Sequence, residues 1–207
     1  MSFATRFARA LVPLAVIAAP AAAPAASQAD IAKVKAHLRS VSSMTANFVQ
    51  TDAKGRSLSG TLQLKRPGRI RFEYGRGVDV LLVADGKRLT FVDYEVGQKS
   101  SWALNETPLG ILLSANPDID RIAKIVPSED PRVLVVRARD PARNEYGTLI
   151  LAFVRESSAP GGLRLYGWTA IDAQGKRTQV RLSNQRYNVA VSPGAFTFAE
   201  PKKRARR

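Results

Sequence analysis

A two-residue periodicity over most of the chain constrains the fold more than any other feature of the sequence. Around the stretch LKRPGRIRFEY, apolar side chains fall on even positions, and Gln, Lys, Arg and Glu fall on odd ones. Because alternate residues of a strand face opposite sides of a sheet, this segment predicts two half-buried strands joined at Pro67-Gly68. The apolar positions are Leu62, Leu64, Ile70, Phe72 and Tyr74.

The same alternation predicts about ten strands, separated by glycine-containing turns. Asp85-Gly86, between two apolar runs, is the strongest hairpin signal among these turns. No fixed-length repeat is visible. The candidate strands are Ala46–Asp52, Leu58–Lys65, Arg69–Tyr74, Asp79–Ala84, Arg88–Tyr94, Lys99–Leu104, Arg132–Arg139, Thr148–Arg155, Leu163–Asp172 and Thr178–Tyr187.

Helical signals are confined to two places. Apolar residues spaced by three and four predict an amphipathic helix over Asp30–Ser43, with Asp30 as its N-cap. Thr107-Pro108 begins a short apolar helix that ends at Asn116-Pro117, and a second short turn follows through Ile122. The segment Ala195–Phe198 is predicted to form a terminal turn or strand. Ten twisted strands in one sheet tend to curl, so the fold class is mainly β: a curled, incompletely closed antiparallel barrel lidded by helices.

The N-terminal segment has the pattern of a secretory leader. Arg6 and Arg9 precede the apolar run Ala10–Ala19, which is too short to span a bilayer. The leader is predicted to occupy residues 1–29, with cleavage after Ala29, Ala26 or Ala23. One domain over 30–200 and a basic, disordered tail over 201–207 complete the organisation. The chain has no cysteine, so neither disulfides nor a lipidated cysteine is available, and a soluble periplasmic protein is expected.

Positive charge is concentrated at the C-terminus. The net charge is +15, and five of the 32 basic residues lie in the final KKRARR, which contains no acid. This composition predicts either a solvated end or transient contact with an anionic membrane. Elsewhere basic residues alternate with apolar ones at strand period, as on a solvated face, and export argues against a nucleic-acid partner.

No motif for catalysis or for a metal site stands out. His37 is the only histidine, and Asp118 and Asp120 form an isolated pair that is better explained as helix capping. Nucleotide-binding glycine loops and a GxSxG elbow are missing from the sequence. We therefore expect a protein that is not an enzyme and uses no cofactor.

Arg66 interrupts the pattern, because its even number places a permanent cation on the apolar side. A guanidinium carries five donors and keeps its charge, so on an apolar wall it needs acceptors such as helix C-terminal carbonyls. The alternative is that Pro67-Gly68 shifts the register and Arg66 points to solvent.

Several segments, in order, resemble the periplasmic outer-membrane lipoprotein carrier family, LolA. They are MTANFVQ, GTLQLKRPGRIRFEY, LLVADGKRLTFVDYE, TPLGILLS and AFTFAEP. The resemblance implies a monomeric half-barrel that holds the acyl chains of a lipoprotein in a hydrophobic cavity. It also implies an inner-membrane ABC transporter as donor and an outer-membrane acceptor.

The resemblance assigns Arg66 as a latch that bonds the lid over the empty cavity. The periodicity offers candidates for the cavity lining and the lid, for which ordinary core packing is an equal alternative. A lipid-binding sensor and a carrier of another amphiphilic lipid remain open as other functions. The candidates are Leu62, Leu64, Ile70, Phe72, Leu81, Val83, Leu89, Phe91, Leu109, Ile111, Leu112, Leu113 and Trp168.

Overall fold

Eleven antiparallel strands form one open sheet in the computed structural model, which describes residues 23–114 and 119–202. The predicted leader core, Asn116-Pro117, Asp118 and most of the basic tail lie outside these ranges. The strands are β1 (Ser43–Thr51), β2 (Ser57–Lys65), β3 (Arg69–Tyr74), β4 (Val80–Asp85), β5 (Arg88–Asp93), β6 (Gln98–Ala103), β7 (Ala123–Val126), β8 (Val133–Ala138), β9 (Thr148–Arg155), β10 (Leu163–Ile171) and β11 (Arg177–Tyr187).

The strand order runs β6-β5-β4-β3-β2-β1-β11-β10-β9-β8-β7, with no pairing between the two edge strands β6 and β7. Side chains from β3, such as Ile70, and from β8, such as Leu134, belong to one buried cluster. The sheet therefore curls around a common interior without closing. This arrangement confirms the predicted fold class of an incompletely closed antiparallel barrel with helical cover.

Three helices cover the interior: α1 (Ala23–Ser40), α2 (Pro108–Leu113) and α3 (Ile119–Ile122). The predicted N-cap role of Asp30 was wrong, because Asp30 lies inside α1. Its carboxylate instead accepts two hydrogen bonds of 2.8 Å from Arg155 on β9. The helix ends at Ser40, and β1 already begins at Ser43.

The predicted strand bounds agree closely with the structure, and Arg69–Tyr74 and Thr148–Arg155 agree at both ends. The missed element is β7, a four-residue edge strand directly after α3. Its sequence, AKIV, is too short for a periodicity to show, and its pairing with Val135–Ala138 is what defines it. The predicted terminal turn or strand is a 3-10 turn at Pro193–Phe196.

Two apolar clusters lie on opposite faces of the sheet. The inner cluster contains Val34 and Leu38 of α1, the inward side chains of the strands, and the α2 leucines. The outer cluster joins Leu81, Val83 and Val92 to Val191 and Phe196 of the C-terminal segment. The segment 188–202 thus crosses the outer face of β3 to β5, and we call it the C-terminal strap.

Candidate functional site

The position of Arg66 follows from where β2 ends. The strand stops at Lys65, and Arg66, Pro67 and Gly68 form the turn into β3. Strand alternation therefore does not apply to Arg66. The Arg66 backbone N–H donates to the Ser42 carbonyl at 2.8 Å, which fixes the turn against the start of β1.

The Arg66 side chain reaches the lid. Its Nη1 donates to the carbonyl of Ser114, the residue that caps α2, at 3.0 Å. Next to this bond, the Gly68 N–H donates to the Leu113 carbonyl at 2.9 Å. Helix C-terminal carbonyls have no partner within the helix, so the turn supplies donors that α2 itself lacks. The Arg66 side chain therefore points towards the lid and not into solvent, in contrast to the alternative prediction.

The hydrogen bond to Ser114 compensates only part of the cost of placing the Arg66 guanidinium in this position. Its Nε is buried and has no hydrogen-bond partner among the described residues. Burial lowers the pKa of Arg66 from its ordinary value to about 10, because the site disfavours the charged guanidinium. A buried donor without a partner is costly. The closed position is therefore held by few bonds and carries a desolvation penalty.

His37 lies close to this turn on α1. The ring is buried and contacts Phe153 and Tyr187 edge to face, and its Nδ1 is 2.8 Å from the Pro160 carbonyl. Burial is the main cause that lowers the pKa of His37, and the nearby charge of Arg66 lowers it further. A neutral histidine therefore packs α1 onto β9, β11 and the turn before β10.

Most of the predicted lining residues meet in one place. Leu62, Leu64, Ile70 and Phe72 are at most 2% exposed and belong to the inner cluster. Trp168, from the other half of the sheet, belongs to the same cluster, and its ring lies 6.1 Å from that of Phe72. The even positions of β2 and β3 do face the interior, as the alternation indicates.

On the next hairpin the prediction is corrected for two residues. Leu81 and Val83 pair with Glu73 and Arg71 of β3 and pack under the strap, on the outer face. They cannot share a surface with Leu89, which belongs to the inner cluster. Phe91 is half buried and lies opposite Leu82 across the β4–β5 pair, on the inner side of the strands.

The lid is α2, and its leucines point into the interior. Leu109, Leu112 and Leu113 are buried in the inner cluster, whereas Ile111 is half buried and packs at its margin. Gly110 lies so near the Leu104 carbonyl that a Cβ would come within 2.6 Å of its oxygen. The glycine therefore lets this short helix lie close against the segment after β6.

Several interior residues were not predicted as lining. Phe48 of β1 contacts the Phe72 and Tyr74 rings at centroid distances of 5.1 and 5.3 Å. Phe153 of β9 is fully buried beside His37. The alternation in β1 could have revealed Phe48. The strand TLILAFVR, in contrast, is apolar on both sides, so its inward residues carry no distinguishing signal.

A cavity of about 680 Å³ opens where the lid meets the strand turns. Ile111 and Leu113 of the lid give it apolar walls, and Gly68 and Lys87 come from the turns after β2 and β4. Arg121 and Asp140 contribute a polar side through a bidentate pair with distances of 2.9 and 3.1 Å. Space thus exists at the lid, next to the Arg66 turn, while the leucines beneath it are packed.

The geometry defines a class of protein: an open β-barrel with an apolar interior and a short lid held by a partly buried cation. A family model, outer membrane lipoprotein carrier protein LolA, matches residues 39–199. A protein named outer-membrane lipoprotein carrier protein from Chromobacterium violaceum is 32% identical over 197 residues, which is 91% of each chain. A protein of the same name from Bordetella avium is 29% identical and covers 91% of this chain and 92% of its own. The chain belongs to the LolA family of lipoprotein carriers.

Solved structures give weaker likenesses. The crystal structure of MucB covers 86% of this chain and 65% of its own, with 12% identity and a TM-score of 0.49. A LolA superfamily protein from Nitrosomonas europaea covers 83% of this chain and 97% of its own, with 13% identity and a TM-score of 0.46. Within residues 23–114 and 119–202, no helix is long and apolar enough to cross a membrane.

Proposed function

We propose that this protein carries acylated lipoproteins across the periplasm, with their acyl chains sheltered in the barrel interior. The observation that carries the proposal is the continuous apolar interior beneath α2, in a chain of the lipoprotein carrier family. Keeping one methylene out of water is worth about 0.8 kcal/mol, so an anchor with roughly 40 methylenes costs about 30 kcal/mol to expose. An anchor of that size needs an apolar shelter to cross water.

Loading requires that the lid gives way, because the interior side chains are packed in the closed protein. Among the residues that the structure describes, the Arg66 turn is joined to the C-terminal end of α2 only by the hydrogen bonds of Arg66 and Gly68 noted above. Entering acyl chains would displace the α2 leucines and break these bonds. Arg66 then acts as a latch. In the loaded protein its guanidinium has lost the bond to Ser114, and this cost favours release of the cargo. The predicted lining residues, apart from Leu81 and Val83, are the candidates for cargo contact.

The wider pathway is part of the same proposal. The protein is exported by a leader that ends at Ala29, receives cargo from an inner-membrane ABC transporter and passes it to an outer-membrane acceptor. It works as a monomer, without a cofactor and without a covalent step. Cleavage after Ala29 would retain the Asp30–Arg155 pair and the packing of Ile31 on the inner cluster, as would cleavage after Ala26 or Ala23.

The test is purification from the periplasm followed by mass spectrometry of whatever is bound. Triacylated lipoproteins are the expected cargo. In a second assay, the purified carrier added to spheroplasts should release lipoproteins from them. Ile111→Glu, which puts a charge on the half-buried lid position, should abolish release, whereas Val49→Glu on the exposed outer face should not. Recovery of other amphiphiles alone, without release of any lipoprotein, would support one of the alternative functions and refute this one.

A further inference from the structure

The edge strand β6 lacks most of the features that prevent a sheet edge from pairing with another strand. Its six residues contain no proline and run in unbroken register with β5, so no bulge turns the edge away. Five of the six are exposed, and Lys99 is the only charged residue among them. Within residues 23–114 and 119–202, β5 is the only strand that pairs with β6. A regular, exposed edge of this kind is a site for pairing with a further strand.

The ladder between β5 and β6 determines which backbone groups of β6 are available. The Leu104 N–H donates to the Lys87 carbonyl at 2.8 Å, directly beyond the last β5–β6 pair. In an antiparallel pair, residues whose N–H and C=O point to the partner strand alternate with residues whose groups point away. The N–H and C=O groups of Lys99, Ser101 and Ala103 therefore point away from β5. These are the groups that a further strand would bond.

The Arg88 side chain covers one of these groups. Its Nη2 donates to the Ser101 carbonyl at 3.0 Å, which agrees with the direction derived from the ladder. Arg88 is exposed, and an exposed hydrogen bond is weak because water competes for the donor and the acceptor. A strand that arrives at the edge can therefore replace it.

An aromatic side chain lies beside this edge, on the inner side of the sheet. Trp102 pairs directly with Leu89, which belongs to the inner cluster, and side chains of directly paired residues lie on the same face. Its side chain is nevertheless 49% exposed, because no strand of the described chain follows on its other side. An added strand would meet Trp102 at a non-hydrogen-bonded pair, where cross-strand side chains are closest.

β6 leads directly into the cavity at the lid. Leu104 and Asn105, the two residues after β6, line this cavity together with Ile111 of the lid. A lipoprotein has two parts: acyl chains that need an apolar shelter, and a polypeptide that must leave it. Because β6 runs towards the cavity, a peptide that follows the acylated residue out of the cavity would run antiparallel to β6.

We propose that the segment of the cargo next to its acylated residue binds the edge of β6 as an added antiparallel strand, with Trp102 packed against it. Binding of this kind uses main-chain hydrogen bonds, which do not depend on the sequence of the added strand. It therefore suits a carrier whose cargo proteins differ in sequence. The inference rests on the proposed carriage of lipoproteins, and it adds a site for the peptide part of the cargo.

The test measures the affinity of the exported protein for three ligands. The first is a tripalmitoylated cysteine amide, which serves as the anchor alone. The second carries the same anchor followed by a short peptide of serine and threonine, and the third is this lipopeptide with its peptide nitrogens methylated. The peptide should raise affinity about tenfold over the anchor, because several main-chain hydrogen bonds outweigh the ordering of a short peptide. Methylation should return the affinity to that of the anchor.

Amide hydrogen exchange, followed by NMR, locates the peptide on the protein. With the lipopeptide bound, the amides of Lys99, Ser101 and Ala103 should exchange at least about tenfold more slowly. The anchor amide should not slow them. The amides of Ser100 and Trp102 already point to β5 and should change little in either case.

Two variants at one position separate the backbone donor from the side chain. Ser101→Pro removes the outward N–H, at a place where an edge strand tolerates proline, and should lower lipopeptide affinity to that of the anchor. Ser101→Ala is the matched control: it also loses the 2.6 Å hydrogen bond with the Thr90 hydroxyl, but it keeps the N–H and should bind normally. Trp102→Ala should lower lipopeptide affinity about threefold and leave anchor binding unchanged.

Equal affinity for the three ligands would overturn the proposal and leave acyl-chain carriage standing, and so would unchanged exchange at the three outward amides. If Ser101→Pro fails to fold in thermal unfolding, the methylated lipopeptide and the exchange measurement decide on the unaltered protein. Protection of these amides that grows with protein concentration, without ligand, would assign the edge to a second copy of this chain and overturn the proposal. Failure of all three ligands to bind would refute acyl-chain carriage and the peptide site together.

Discussion

Replacing Arg66 by Leu should tighten cargo binding rather than weaken it. Burial that lowers the Arg66 pKa to about 10 corresponds to roughly 3 kcal/mol of lost solvation. The bond to Ser114 is a charge-assisted hydrogen bond, and it returns about 1.5–3 kcal/mol in the closed protein. The two contributions largely cancel, so the unfolding free energy of empty Arg66→Leu should change by at most about 1.5 kcal/mol.

The loaded protein behaves differently because the acyl chains displace the Ser114 carbonyl while the guanidinium stays near the apolar interior. Losing that bond costs about 1.5–3 kcal/mol in the loaded state, and Leu removes this cost. Acyl affinity should therefore rise by about 10- to 150-fold. The gain should appear mostly as slower release, since affinity changes at one site act mainly on dissociation rates.

The assay measures, in a stopped-flow instrument, the rate at which a fluorescent acyl probe is transferred from the protein to acceptor vesicles. Arg66→Lys keeps the charge with a different donor geometry and should give an intermediate rate. Arg69→Leu, a half-buried arginine on β3, is the matched control and should transfer at the normal rate. If Arg66→Leu released the probe as fast as the parent, with unchanged affinity, the latch reasoning would be refuted.

Three further predictions concern stability and processing. Gly68→Ala should destabilise by well over 1 kcal/mol in thermal unfolding, because φ is +73° and a Cβ would lie 2.7 Å from the Gly86 Cα. Gly55→Ala, with φ of +78° and open space, should cost only the backbone strain of about 1 kcal/mol. Burial holds the His37 pKa below 6.5, so its contribution to stability is complete above that pH. The contribution should fall as pH drops through 6.5, by at most about 1.4 kcal/mol per unit, and His37→Phe should remove this slope from the urea-unfolding profile. Intact-mass measurement of the exported protein should find Asp30 as the first residue, and Asp30→Asn should lower stability by up to about 1 kcal/mol.

Most strands could be predicted from the sequence because one of their faces is polar and the other is apolar. The hairpin at Asp85-Gly86 is a clear example: the Asp85 carboxylate accepts from the backbone N–H groups of Lys87 and Arg88, and Gly86 has a φ of +113°. Both features are local, and the residue types that provide them are the ones typical of turns. Local signals of this kind need no knowledge of the rest of the chain.

Leu81 and Val83 show where such reasoning stops. The strand VLLVAD is apolar on both sides, so alternation does not indicate which side faces the interior. The outer side is dry because Val191 and Phe196, more than 100 residues later in the chain, cover it. The same holds for Arg66, whose parity suggested an unusual environment although its acceptor, Ser114, depends on where the lid packs. Pairings between distant segments carry no periodic signal.

The two tryptophans allow a direct test of whether acyl chains reach the interior. Trp168 is 3% exposed, packed in the inner cluster, whereas Trp102 is 49% exposed on the edge strand β6. Trp102→Phe leaves Trp168 as the only tryptophan, and Trp168→Phe leaves Trp102. A fatty acid brominated near the middle of its chain quenches indole fluorescence on contact. We expect strong, saturable quenching in the protein that keeps Trp168 and little in the one that keeps Trp102.

The packed interior makes the outcome of this experiment informative in both directions. The Trp168 and Phe72 rings already pack edge to face, with 6.1 Å between their centroids. A bromine atom can therefore approach Trp168 only if the packed side chains and the lid rearrange. When the brominated fatty acid leaves, Trp168 fluorescence recovers. If this recovery is slower in Arg66→Leu than in the parent protein, a single measurement links the Arg66 latch to release from the interior. Quenching confined to Trp102 would mean that acyl chains bind at the sheet edge, and the barrel would then be an ordinary core rather than a shelter.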